Sequence, residues 1–339
     1  MIGVGIVGLG LAVKPHALAL RDLEAAGRAR VVGGFAPSAD RRAAFAAAWH
    51  WPAFDSLDAL LAAPALDLVV ILTPPRTHLP LAEQALAAGK HLLVEKPVEW
   101  DAARAAALAD AVTRAGRRAG VVFQHRFRPA ARRLKAVLED GALGRVLSAS
   151  ASIRWWRDDA YFATPGRGTK ARDGGGVLLT QAIHTLDLLL HLAGPVESVM
   201  GMACNSGLRA VDTEDVAAAA LRFANGAIGA VDATTVARPG FPERIEIAGT
   251  QGSAVLVAER LDLHVAGRAP EVIDHGSAGG GGADPMAFDH GPHRAMIAEM
   301  IDAVAEHRAP ANDIATGLLV QRLIEAWLRS SATGRAEAP

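Results

Sequence analysis

The first 123 residues repeat one rhythm: a short apolar run, a turn, and a stretch with helical spacing. Apolar runs stand at 2–7, 30–35, 66–72, 91–94 and 119–123, with helical stretches at 12–23, 39–49, 78–88 and 101–115 between them. Strands that alternate with helices form a parallel, doubly wound sheet, because a parallel neighbour is reached only by a crossover long enough to hold a helix. Ligands of such sheets bind beyond the carboxyl ends of the strands. That rule nominates Gly8 and Gly10, the segment 36–42, Thr73-Pro74-Pro75, Glu95-Lys96-Pro97 and Gln124-His125-Arg126. A chain of 339 residues holds about two domains. The rhythm stops near residue 124, so the expected division is a doubly wound domain over 1–123 and a second domain over 124–339.

The first turn is the most informative one. The strand 2–7 runs through Gly8-Leu9-Gly10 to Leu11 and Ala12 at a helix start. A side chain at either glycine would hold the backbone away from a pyrophosphate seated on the helix N-terminus, where only N–H groups meet it. Val13 takes the place of the usual third glycine or alanine, so the fingerprint is incomplete. After the second strand, NAD-binding chains present a carboxylate to the ribose 2′-hydroxyl. Ala36 stands there instead, followed by Ser38, Arg41 and Arg42. A hydroxyl and an arginine fork suit a 2′-phosphate, so the sequence favours NADP, with NAD also possible. The alternative is that both arginines are merely solvated at the start of a helix.

Beyond residue 124 the pattern changes. Residues 144–156 alternate like a long strand, and 216–223, 228–236, 244–249 and 254–257 add more, which predicts a large, mostly antiparallel sheet and an α+β second domain. Between them Gly174-Gly175-Gly176 leads into an expected amphipathic helix. An unbroken helical period puts Thr180, His184 and Asp187 on one face. Arg126, Trp156, Tyr161, Arg167 and Lys170 are candidate substrate contacts whose hydrogen-bonding groups suit a polyol or sugar acid; surface or core placement is the alternative. The glycine-rich run 276–283 reads as a loop, and the helices at 294–307 and 314–330 carry no evident chemistry.

Charge and cysteine narrow the partners. Lys plus Arg is 35 and Asp plus Glu 36, a net charge of −1, so there is no basic excess for nucleic acid. The single Cys204 excludes an internal disulfide, no metal-ligand spacing is present, and the expected compartment is the cytoplasm. The apolar N-terminal run lacks the basic region and cleavage site of a signal peptide, and no membrane span is expected.

Taken together, GIVGLG, TPP with His78 after it, EKP at 95–97 and GGGVLLTQAIHTLD resemble the Gfo/Idh/MocA family, relatives of glucose-fructose oxidoreductase and inositol dehydrogenase, over nearly the whole chain. EKP combined with the glycine-rich His-x-x-Asp segment carries the specificity. The resemblance implies a Rossmann domain followed by an α+β domain with a large open sheet, whose open face builds a homo-oligomer, dimer or tetramer. It also implies that His78 lies at the cofactor with the TPP turn, that Lys96 and His184 flank the substrate carbon beside the nicotinamide, and that the Lys96–Pro97 bond is cis. The implied activity is an NAD(P)-dependent dehydrogenase or reductase acting on the CH–OH group of a sugar or polyol. Lysine and histidine suit it, because hydride transfer from an alcohol needs a group to take the hydroxyl proton. Many members carry an aspartate where this chain has Thr180, and a glycine where it has Ala182, which leaves His184 to work with Lys96 or Asp187. Two competing readings are a catalytically silent, dinucleotide-sensing regulator on the same fold and a methyltransferase nucleotide site; EKP and the missing acid at Ala36 oppose the latter.

Overall fold

The computed structural model describes residues 1–276 and 289–339, so the expected loop at 276–283 lies, past Gly276, outside the described residues. Internal contacts divide the chain into two compact units, Met1–Gln124 with His290–Leu318, and His125–Asp289 with Leu319–Pro339.

In the first unit β1 (Ile2–Val7), α1 (Val13–Ala25), β2 (Ala29–Phe35), α2 (Ala39–Trp49), α3 (Leu57–Leu61), β3 (Leu68–Ile71), α4 (His78–Ala87), β4 (His91–Val94), α5 (Ala102–Ala115) and β5 (Ala119–Val121) follow in order. The five strands form a parallel sheet in the order β2-β1-β3-β4-β5, with Val4 paired to Val31 on one side and Leu68 on the other. Every residue of β3 is buried, the composition expected of a strand covered on both faces. Helix starts are chemically marked: Ser38, Ser56 and Asp101 accept from the backbone N–H of Arg41, Ala59 and Arg104, satisfying donors that a first helical turn leaves open.

The second unit holds α6 (Pro129–Glu139), β6 (Val146–Arg154), α7 (Asp159–Phe162), α8 (Lys170–Asp173), a π-helical turn at Leu178–Ala182, α9 (Ile183–Ala193), and then β7 (Val196–Cys204), β8 (Val216–Phe223), β9 (Ile228–Thr234), β10 (Arg244–Gly249), β11 (Gly252–Val257), β12 (Arg260–Val265) and β13 (Glu271–Asp274). Its eight-stranded sheet runs β13-β12-β11-β10-β6-β9-β8-β7 and is antiparallel except where β6 meets β9. Burial alternates along β8: Ala217, Ala219, Leu221 and Phe223 are buried and the residues between them exposed. α9 lies on β6 and β10, and α6 on β11 and β12. Met200, Met202 and Ile228 are exposed, and Ser150, Ser152 and Asp232 join the methionines around a broad depression of about 680 Å³ on the other face.

Two expectations are corrected. The helix after the triple glycine is not amphipathic: Leu188, Leu189, Leu192 and Asp187 are all buried, so apolar residues surround it. The stretch Lys170–Ala193 has the length and hydropathy of a membrane-crossing helix, but 78% of its most apolar window is buried inside the protein, as befits a core helix. The second correction concerns α10 (Gly291–Ala305), which packs on α1 of the first unit, with the His16 and His293 rings edge to face at 5.1 Å. The last helix, α11 (Ile314–Thr333), starts in the first unit, where Gly317 leaves room for Val98 and Val121, and ends in the second.

Candidate active site

The two glycines of the first turn have separate jobs. Gly8 has φ +100°, and a Cβ there would lie 2.8 Å from the Leu72 carbonyl, so the fold itself demands glycine. At Gly10 a Cβ would meet nothing within 4 Å and would instead fill the open space before α1. No side chain caps α1 at Ala12; Val13 N donates to the Gly10 carbonyl at 3.2 Å and Pro15 carries no N–H, which leaves the Lys14 amide of the first turn for a ligand, with Leu11 exposed beside it. The cradle fits a pyrophosphate.

At the end of β2, Ala36 is buried and Ser38 caps α2. The two arginines divide. Arg42 donates through Nη1 to the carbonyls of Ala36 and Pro37, both at 3.0 Å, and through Nη2 to Asp55 at 3.3 Å, which stitches it into its own loop. This corrects its expected place on the cofactor. Arg41 is exposed on the first turn of α2.

The loops after β3 and β4 are tied together by His78, which the sequence places at the cofactor. His78 is fully buried, its Nε2 2.8 Å from the Thr73 carbonyl and its Nδ1 3.1 Å from those of Pro97 and Val98. It is a brace, and burial holds its pKa below the ordinary histidine value. Within the Thr73-Pro74-Pro75 turn, Thr77 Oγ1 donates to the Pro74 carbonyl at 2.7 Å. The Lys96–Pro97 bond is cis, as expected. Next to it Glu95 keeps Oε2 sealed from solvent with no hydrogen-bond partner; burial pushes its carboxyl up to about 7 against the pull of Lys96. Gln124 likewise buries an unpaired Oε1 at the end of this unit.

In the second unit His184 is buried in the first turn of α9, its ring 5.1 Å from that of His125 and tilted by 31°. Arg128 donates to His125 Nε2 at 2.8 Å and is itself paired with Glu243 and Glu259. Asp187 accepts a two-pronged bond from Arg126, Nε to Oδ2 at 2.7 Å and Nη2 to Oδ1 at 2.6 Å. Burial raises the Asp187 pKa to about 6, and the guanidinium opposes it. The pair corrects the expected roles of both residues: Arg126 spends its Nε and Nη2 on a buried carboxylate instead of facing a substrate, and Asp187 is engaged by that guanidinium as an internal anchor of α9. The common face expected for Thr180 and His184 assumed a regular period, which the π turn at 178–182 interrupts; Thr180 Oγ1 donates to the Gly176 carbonyl at 2.7 Å.

The other nominated contacts gather on the β6–α9 connection. Gln181 donates to the Tyr161 hydroxyl at 2.7 Å, and the Arg167 guanidinium lies 4.3 Å over the Tyr161 ring. Trp156 sits between Arg209 and Arg238, whose guanidinium carbons are 4.8 and 4.2 Å from its ring centre. Lys170 is exposed, with its backbone N–H on Asp212. Sequence reasoning nominated His125 but missed Gln181, and Glu214, whose carboxylate accepts from the amides of Gly176 and Leu178. The signal available for Glu214 was three acids, at 212, 214 and 215, just ahead of a clear strand.

Comparison with known proteins gives the class. Residues 2–123 match the oxidoreductase family GFO/IDH/MocA, NAD-binding Rossmann fold, and residues 131–255 match the GFO/IDH/MocA C-terminal domain. The chain belongs to the Gfo/Idh/MocA family of oxidoreductases, and its residues 2–123 are an NAD-binding Rossmann domain. Among relatives, it is 31% identical to D-apiose dehydrogenase of Paraburkholderia graminis over 76% of this chain and 68% of that one. It is 33% identical to levoglucosan dehydrogenase of Pseudarthrobacter phenanthrenivorans over 59% of this chain and 57% of that one, so the match spans just over half of that relative. Among solved structures, the WlbA dehydrogenase from Bordetella pertussis, in complex with NADH and UDP-GlcNAcA, is 28% identical with a TM-score of 0.85, covering 100% of this chain and 98% of that one.

Proposed function

We propose that this chain is an NAD(P)-dependent dehydrogenase that acts on a CH–OH carbon of a sugar, polyol or related hydroxy compound, with NADP preferred. One observation carries the reading: Lys96 and His184, the two side chains able to handle the hydroxyl proton, sit on backbone fixed by buried groups. His78 braces the Lys96 turn, and the Arg126–Asp187 fork anchors the helix of His184. The nicotinamide supplies the hydride acceptor. Lys96 and His184 take the proton from the substrate oxygen or return it. Gly8, Gly10 and the N-terminus of α1 hold the pyrophosphate, with the Thr73-Pro74-Pro75 and Glu95-Lys96-Pro97 turns beside it. Trp156, Tyr161, Arg167 and Lys170 bind the substrate hydroxyls. The named activities of D-apiose dehydrogenase and levoglucosan dehydrogenase support a sugar substrate.

The cofactor preference rests on Ala36, which offers no carboxylate to repel a 2′-phosphate, and on the exposed Arg41. A charge-assisted contact is worth about 1.5–3 kcal/mol, or about 10- to 100-fold in affinity. Calorimetry should find NADPH bound more tightly than NADH, and Arg41→Ala should narrow the difference; equal affinities for the two would sink the preference. We also propose that the open face of the eight-stranded sheet receives a second copy of the chain, on account of its exposed methionines.

The decisive experiment is kinetic. Lys96→Ala and His184→Ala should each lower kcat on a turned-over sugar by about 10² to 10⁴ while NADPH still binds. The double variant should be little worse than the weaker single one, since groups that act as a unit are not additive. Full turnover by either single variant would refute the assignment. Cofactor binding without turnover of any sugar or polyol would point instead to a dinucleotide-sensing regulator.

A further inference from the structure

The four residues ahead of β8, Asp212 to Asp215, are all spent on holding other loops. Asp212 Oδ1 accepts from Lys170 N at 2.8 Å, and Thr213 Oγ1 donates to the Gly168 carbonyl at 2.9 Å. Asp215 faces the other way, accepting from the backbone N–H and hydroxyl of Ser206 at 2.7 and 2.8 Å. Glu214 does most. Its Oε1 accepts from the amides of Gly176 and Leu178 at 3.1 and 3.2 Å, its Oε2 lies 3.1 Å from the same Gly176 amide, and its main-chain carbonyl accepts from Val177 N at 2.8 Å. One residue, 36 to 38 positions away in sequence, therefore takes three consecutive amides.

Those amides open the helix that bears His184. They are among the donors that a helix cannot satisfy internally, and a carboxylate placed there also meets the positive end of the helix dipole. Gly176 is shaped by the same contact. A Cβ on it would lie 1.9 Å from the Glu214 carbonyl oxygen and 2.6 Å from Oε2, so glycine is required by the clamp and not by a left-handed backbone. Immediately beyond comes the π turn at 178–182. Such a turn holds one residue more than an α-helical turn and is less favourable. An unfixed end would let it relax by one residue, and each residue of slip turns the later side chains by about 100°.

We propose that Glu214 is a positioning residue for His184: by taking the amides of Gly176, Val177 and Leu178 it fixes the start of the π turn and hence the direction of the histidine. Burial raises the Glu214 carboxyl, and the Gly176 and Leu178 amides pull it back down, so the bonds that hold the loop also hold the charged form. The proposal rests on the reading of His184 as a proton handler. It goes beyond that reading by naming what aims it.

The test uses the full chain with NADPH and a turned-over sugar. Glu214→Ala should lower kcat by about 10- to 100-fold, the loss expected of a misplacement near 1 Å, with the KM for NADPH unchanged. Glu214→Gln keeps an acceptor oxygen and should recover most of the loss. Gly176→Ala should lower kcat at least as much as Glu214→Ala, since its methyl group displaces both the carbonyl and the carboxylate of Glu214. Hydrogen exchange at the amides of 176–178 should quicken in Glu214→Ala and not in Glu214→Gln, which is readable without turnover. If Glu214→Ala does not fold, the comparison of Glu214→Gln with Gly176→Ala carries the same contrast. Wild-type kcat in Glu214→Ala, beside a dead His184→Ala, would overturn the positioning role and leave the proposed function standing. A fully active His184→Ala would overturn the proton-handling reading and the positioning role with it, whereas the exchange result would still report the cap.

Discussion

Glu95 shows how one side chain can set a pH dependence. Its carboxyl titrates near 7 in the folded chain because burial disfavours the charge. Between the ordinary carboxylate pKa and about 7 the folded state thus binds more protons than the unfolded one, and stability falls as pH rises through that window. Glu95→Gln removes the cost, so urea denaturation at pH 8 should find the variant more stable by about 1–2 kcal/mol. The gain should vanish near pH 5; a gain equal at both pH values would show that charge is not its source. At this scale the sequence was informative about which residues matter and less so about what they do. Arg126 and Asp187 were both nominated, but their mutual fork spans 61 positions and no local spacing reveals it. His78 was nominated for a ligand and turned out to hold carbonyls, because a histidine after a strand end looks the same in either role.

Among elements, legibility followed burial pattern. β6 was visible from the period-two alternation of 144–156, and α2 as an alanine-rich stretch between two apolar runs. β7 was missed because Met200, Gly201 and Met202 alternate no polarity, the strand's outward face being apolar as well. α6 was missed under its run of arginine and lysine, and the π turn because its cause lies in a distant residue and not in its own letters. β7 also carries a packing relation that no reading of one segment gives. A Cβ on Gly201 would lie 2.4 Å from the ring of the fully buried Trp327, whose Nε1 donates to the Met202 carbonyl at 3.1 Å. Trp327→Ala should therefore cost about 3–5 kcal/mol and show as a lower urea midpoint. A loss below about 1 kcal/mol would mean that α11 does not pin this edge of the sheet.

At the scale of the whole molecule, the proposed chemistry and the proposed assembly of the second unit fall on opposite faces of its sheet. α9 with His184 lies against β6 and β10, on the covered face, whereas Met200 and Met202, 57% and 79% exposed, lie on the open one. The net charge of −1 offers little repulsion between copies. Met202→Arg should lower the mass measured by light scattering to that of a single chain. A wild-type protein already monomeric, or a variant that keeps its mass, would remove the open face as the interface.

β7 alternates so that Cys204 emerges on the same side as Met200 and Met202, and it is the chain's lone thiol. The molecule thus has its own chemical stopwatch for association: a thiol reagent should react at the rate of an open cysteine in separated chains and more slowly once copies meet over that face. Because the label sits at one defined position, its uptake against protein concentration would give a dissociation constant from the unaltered sequence, with no engineered probe.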